Sequence, residues 1–261
     1  MSNFGGGLNG LFNSKSVVSN LLIINIIGFV GAWIFGNVPG TGISTTNALL
    51  GLYIPGSESF RPWQLLTHMF LHGNLMHIFF NMYALFLFGS VLEQVWGPKR
   101  FLIFYLVCGF GAALIHMGVS IWEAEALRNE ILNLDLGITE ESLRALKAGD
   151  TSLKFPTQGN AMELLRSYYA KFNYPTVGAS GAVFGLLLGY GMLFPNNKLY
   201  MLFFPVGIPA KWFVIIYGAI ELFMGINNNP GDNVAHFAHL GGMIFGFFLI
   251  KYWKKDRQNF Y

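Results

Sequence analysis

Tyr174-Pro175-Thr176-Val177-Gly178-Ala179-Ser180-Gly181-Ala182-Val183-Phe184-Gly185-Leu186-Leu187-Leu188-Gly189 is the stretch whose reading decides the fold. No charge interrupts it or its continuation to Phe194, and Gly178, Gly181, Gly185 and Gly189 recur at spacings of three and four. A stripe of glycines in an apolar helix lets a neighbouring membrane helix approach backbone to backbone. Ser180 stands at the head of this stripe, and the job of that hydroxyl is the functional question.

The whole chain agrees with a membrane setting. Of 261 residues 53% are hydrophobic and 11% charged, whereas a soluble domain carries about 25% charged residues. The charges fall between long apolar runs, which predicts helical spans rather than the alternating strands of a barrel. Cys108, the single cysteine, has no partner for an intramolecular disulfide. A net charge of +3 is too small to indicate a nucleic-acid partner. Residues 1–16 are Gly/Asn-rich, and no cleavable signal peptide is predicted.

At roughly 20 apolar residues per crossing, six spans are predicted: Val17 to Gly36, Leu75 to Leu92, Phe101 to Trp122, Val177 to Phe194, Trp212 to Ile226 and Val234 to Ile250. This is an all-α membrane protein with a cytoplasmic segment 1–16, a six-helix domain over 17–250 and a basic tail over 251–261. The first loop ends in an amphipathic stretch from Arg61-Pro62-Trp63-Gln64, suited to the membrane interface. The 123–173 insertion holds eight acidic and six basic residues and reads as a solvated cap. Helical pieces are predicted at 123–134 and 160–172, with Asn160 and Glu163 resembling a capping box. Lys198, Pro205 and Pro209 mark a loop. Lys15, Lys99, Arg100, Lys198, Lys211 and the tail residues Lys251, Lys254, Lys255 and Arg257 all fall on one side of this arrangement, so both termini are predicted cytoplasmic and the insertion outward. No internal repeat supports an inverted-repeat transporter.

With that topology, spans two, four and six all begin at the outer face. Ser180 is expected about a turn into span four, and His236 and His239 one to two turns into span six. His77 and Asn81, four apart, share one face of span two. Three clusters thus reach the same depth, roughly 5–10 Å in by helical rise, and polar groups in a bilayer face the bundle interior. A serine needs a base, usually histidine, and the charge developing on an attacked carbonyl needs donors; His77, Asn81 and the Ser180 N–H are candidates. Only Asp232, in the loop beside span six, could orient a histidine from this side, so a Ser–His dyad is expected rather than a triad. His239 heads a stripe with Gly242 and Gly246 that can press on the glycines of span four, which favours it over His236 as the base. Glu221 is expected to be a hydrogen-bonded structural carboxylate, since span five starts from the cytoplasmic side, and His116 a satisfied bundle residue.

These residues resemble the rhomboid family of intramembrane serine proteases. The matching motifs are Gly178-Ala179-Ser180-Gly181, Ala238-His239 with Gly242 and Gly246, His68/His72/His77/Asn81, and Glu93-Gln94-Val95-Trp96-Gly97-Pro98-Lys99-Arg100. The Arg61/Trp63 loop is similar to the family's membrane-dipping first loop. The resemblance implies a six-helix bundle with Ser180 as nucleophile, His239 as general base and His77 and Asn81 assisting the oxyanion. It implies cleavage of single-pass or multi-pass transmembrane substrates near the outer face, in contact with membrane lipid and without metal or cofactor; a bacterial plasma membrane is the natural location. Phe184 stands where several members carry a tyrosine that stacks on the base, and a phenyl ring keeps the stacking while losing the hydroxyl. Two other readings stay open: a relative that binds transmembrane helices without cutting them, and a metal or haem site built from His236 and His239 with His68, His72 and His77.

Overall fold

The computed structural model describes residues 16–134, 136–153, 155, 160–201, 204–227 and 234–255. Lys15, Asp232 and Arg257 lie outside the described residues. Helix α1, Val17–Ile34, turns Val18, Leu21, Leu22 and Asn25 inward and leaves Ile23, Ile27, Trp33 and Ile34 exposed, as a lipid-facing helix requires. Its first turn is held by the Glu93 carboxylate, which accepts from the Val17 N–H at 2.7 Å, the Val18 N–H at 3.0 Å and the Ser16 hydroxyl at 2.9 Å. An anion at a helix start satisfies orphan N–H groups and complements the dipole. Glu93→Ala is therefore expected to lower stability by about 2 kcal/mol, read as a lower Tm with unchanged helix content.

The first loop carries a short helix the sequence reading missed, α2 at Thr45–Leu50, capped by Ser44. Helix α3, Gln64–Thr67, passes into a 3-10 turn at His68–Phe70, with Trp63 and Leu66 exposed as an interfacial segment demands. Helix α4, Leu75–Ala84, continues through a π turn at Leu85–Gly89 into α5, Ser90–Leu132. Gly97, at φ 77° and ψ 163°, breaks this long element just beyond Leu92, the predicted end of span two.

The third predicted span does not stop at Trp122. Helix α5 runs on to Leu132, because Glu123-Ala124-Glu125-Ala126-Leu127-Arg128 ends the hydropathy without lowering helix propensity. That extension supports α6, Glu140–Lys147, which the sequence reading missed, and α7, Ala161–Asn173. Ala124, Ile131, Leu143, Leu146, Leu165, Tyr168 and Phe172 form their core, so the insertion is more than a solvated cap. The expected capping box at Asn160 does not form; the box is at Thr139 and Ser142.

Helix α8, Ser180–Leu193, is followed by an antiparallel hairpin where a loop was expected: β1, Lys198–Met201, pairs with β2, Phe204–Pro209. Helices α9, Ala210–Asn227, and α10, His236–Lys255, complete the order. Among the described residues, three helical stretches are long and apolar enough to cross a membrane, 17–34, 75–132 and 210–227; α8 is a shorter apolar helix.

The packing centre is α5, α8 and α10. A Cβ on Gly181 would lie 2.3 Å from the Ala112 Cβ, one on Gly185 2.5 Å from the Cys108 Sγ, and one on Gly242 1.8 Å from the Gly181 carbonyl oxygen. The glycine stripes of α8 and α10 therefore meet as their spacing predicts, with small residues of α5 against them.

Candidate active site

The segment before α8 is tied down at two points. Leu52 and Thr176 exchange both backbone bonds, at 2.9 and 2.8 Å, and the Gly178 N–H donates to the His68 carbonyl at 3.0 Å. Burial pushes the His68 imidazole down to about 4, so the ring is neutral and donates through Nδ1 to the Gln64 carbonyl at 2.8 Å. Gly178 has φ +139°, and a Cβ there would lie 2.8 Å from the His77 Nε2; both the backbone and the space call for glycine. The chain then enters α8 with Ser180 as its first residue rather than a turn inside it. The Ser180 N–H is consequently one of the donors that a helix start leaves without an intrahelical partner.

Helix α10 likewise begins at His236, which places His239 one turn in. Its Nε2 lies 2.9 Å from the Ser180 Oγ. Phe184, one turn along α8, stacks flat on the His239 ring at 4.1 Å between centroids and 5° between planes. A phenyl ring thus fills the stacking role expected of it.

Glu221 is the residue the sequence reading misplaced. Its Oε2 lies 2.8 Å from the His239 Nδ1 and 2.7 Å from the His236 Nδ1, and all three side chains are buried. A carboxylate does stand at the depth of the histidines, contrary to the expectation that only Asp232 could. Glu221 is six residues before Asn227, the end of α9, which is about 9 Å by helical rise. Counting from the C-terminal end of α9 places it beside His239, and a lone acid in an apolar helix is the available signal.

His77 and Asn81 are on α4 and line the same cavity as Ser180 and His239, of about 1690 Å³. The Asn81 Nδ2 donates to the His77 carbonyl at 3.0 Å. His72 packs edge-on against His77 at 5.0 Å between centroids. His116 is bonded through Nε2 to the Thr176 hydroxyl at 2.8 Å, as a satisfied bundle residue. Among the described residues, the three-donor group with metal-like spacing is Glu221, His236 and His239, with ligand atoms within 4.8 Å; His68, His72 and His77 do not join it. The direct hydrogen bonds from both imidazoles to one carboxylate oxygen already satisfy that group.

Comparison with known proteins points the same way. The family model described as Rhomboid domain matches residues 59–122 and 152–255. YdcA of Bacillus subtilis is 25% identical over 228 residues, covering 87% of this chain and 85% of YdcA. Rhomboid-like protease 3 of Toxoplasma gondii is 24% identical over 219 residues, 82% of this chain and 79% of that protein. Rhomboid protease GluP of Bacillus subtilis is 26% identical over 188 residues, 71% of this chain and 25% of GluP, so the chain spans a quarter of that relative.

Proposed function

The chain belongs to the rhomboid family, and from that premise we propose that it is an intramembrane serine endopeptidase acting through Ser180 and His239. The 2.9 Å contact between Ser180 Oγ and His239 Nε2, both lining a cavity in an apolar helical bundle, carries the reading. Residues 17–250 cross the bacterial plasma membrane six times with both termini cytoplasmic, α5 on either side of Gly97 contributing to two crossings.

The chemistry is acyl transfer. His239 Nε2 takes the Ser180 proton as Oγ attacks a substrate carbonyl, and the imidazolium then protonates the leaving amine. Water attacks the resulting ester, with His239 again accepting a proton, and releases the acid while restoring Ser180. The oxyanion is met by the Ser180 N–H at the positive end of α8 and by His77 and Asn81. Asn81 has two amide protons, and the His77 carbonyl engages only one. Substrates are transmembrane segments that reach the cavity laterally: Phe80 and Tyr83 of α4 and Leu87 of the π turn after it line one wall, and Phe213, Tyr217 and Met224 of α9 another. An intact helix hides its carbonyls in i to i+4 bonds, so Gly or other weak helix formers near the outer face favour cleavage.

Labelling the purified protein with a fluorophosphonate, followed by peptide mapping, tests the reading. Phosphonylation at Ser180, lost in Ser180→Ala and His239→Ala, is the expected result. A folded wild type that takes no label would sink it. His77→Ala and Asn81→Ala are each expected to lower kcat by roughly 10²- to 10³-fold with a smaller change in KM, measured on a transmembrane substrate in liposomes.

A further inference from the structure

Glu221 is buried in an apolar helix, and nothing in the two-residue mechanism above uses it. Burying a carboxylate without partners is costly, yet here its Oε2 receives two imidazole nitrogens, His236 Nδ1 at 2.7 Å and His239 Nδ1 at 2.8 Å. An ionised carboxylate only accepts hydrogen bonds. The Nδ1 of His239 must then carry a proton, and in the neutral ring this leaves the Nε2 lone pair facing the Ser180 hydroxyl at 2.9 Å. That is the tautomer a general base needs. The opposite tautomer would aim an Nε2–H at Ser180 and leave a bare Nδ1 lone pair against a buried carboxylate.

We propose that Glu221 is a positioning residue of the catalytic machinery, completing a Ser180–His239–Glu221 relay in which the carboxylate fixes the tautomer and plane of His239 and stabilises its imidazolium. The inference rests on the serine-protease reading above and adds to it a third member supplied by α9. His236 has a definite place in this arrangement: its Nδ1–H is the second bond to Oε2, holding the carboxylate in the rotamer that reaches His239. Phe184 closes the other side of the ring at 4.1 Å, so His239 is held on its face by an aromatic, at Nδ1 by a carboxylate and at Nε2 by the nucleophile. Glu221 does not touch the reacting atoms; its effect passes through His239. Loss of the equivalent carboxylate in soluble serine proteases costs about 10⁴-fold in kcat because the histidine adopts the wrong tautomer.

The test compares wild type, Glu221→Gln and Glu221→Asp in lipid nanodiscs by turnover of a transmembrane substrate, fluorophosphonate labelling and 15N spectra of ring-labelled histidines, with the His239 signals assigned by their loss in His239→Ala. Expected for Glu221→Gln is a kcat lower by roughly 10²- to 10⁴-fold with KM within about threefold, slower labelling, and appearance of the Nε2–H tautomer of His239. Glu221→Asp, which keeps the charge, is expected to recover part of kcat and the Nδ1–H signature. A purely structural carboxylate would instead lower the folded fraction while leaving kcat per folded molecule and the tautomer unchanged, and that result overturns the proposal. If the glutamine variant does not fold, the wild-type spectrum decides, since His239 in the Nε2–H tautomer also overturns it. A folded wild type that neither labels nor cleaves takes down the protease reading and this one with it, whereas an active wild type matched by Glu221→Gln removes this one alone.

Discussion

Ser180→Ala is expected to abolish cleavage and labelling while leaving the fold and substrate binding in place. The substitution removes one oxygen at the first residue of α8, where the helix start and the glycine contacts with α5 and α10 do not depend on it. What it removes is the atom that bonds to carbon and the hydroxyl that faces His239 Nε2. His239→Ala should be nearly as severe, because the hydroxyl then keeps its proton and is a weak nucleophile. Members of such a unit act together, so each single variant should lose on the order of 10⁵- to 10⁶-fold in kcat and the double variant little more. Turnover of a transmembrane substrate in liposomes measures this, with co-purification of uncut substrate as evidence that binding survives. Cleavage by Ser180→Ala at the wild-type rate would move the chemistry elsewhere, and multiplicative losses in the double variant would mean that Ser180 and His239 do not act as a pair.

The parts legible in the sequence are those that depend on residue type and helical period alone. Gly178-Ala179-Ser180-Gly181 on one segment, and His239 with Gly242 and Gly246 on another, imply close helices and a serine near a histidine, and the structure places the two atoms 2.9 Å apart. What stayed hidden depends on where an element begins and ends. Ser180 and His236 head their helices because the backbone before each is extended or turned, a property that hydropathy does not report. The helix predicted over 123–134 is present, but as a continuation of α5 rather than a separate piece, since Glu123 to Leu132 are polar enough to end a span yet good enough helix formers to continue the helix. Asn160 resembles a cap, but its side chain bonds no helix N–H, and Thr139 with Ser142 makes the box instead. Glu221 is visible as a lone acid, yet hydropathy does not say how far along α9 it meets another helix, so its contact with His239 is not legible in the sequence.

Gly242→Ala is expected to damage both stability and catalysis, by a route that involves no catalytic atom. The added Cβ would lie 1.8 Å from the Gly181 carbonyl oxygen and 2.7 Å from its carbon, far inside van der Waals contact. No flexible side chain can yield there, because the obstacle is the backbone of α8. Helix α8 cannot retreat either, as Gly181 is backed by Ala112 of α5, whose Cβ would stand 2.3 Å from a Cβ on Gly181. The strain must then move α10, at a cost of about 3 kcal/mol by analogy with overpacked cores. His239 is three residues before Gly242 on α10, so the same displacement lengthens its bond to Ser180, and a shift near 1 Å costs roughly 10²-fold in rate. Gly118 on α5 is the matched control, since a Cβ there meets nothing within 4 Å; Gly118→Ala should be neutral or stabilising by up to about 1 kcal/mol. Thermal unfolding in detergent and turnover in liposomes read the two variants side by side. If Gly242→Ala matches Gly118→Ala in both, the close approach of α8 and α10 is not what holds His239 to Ser180, and the geometry of the base must come chiefly from Phe184 and Glu221.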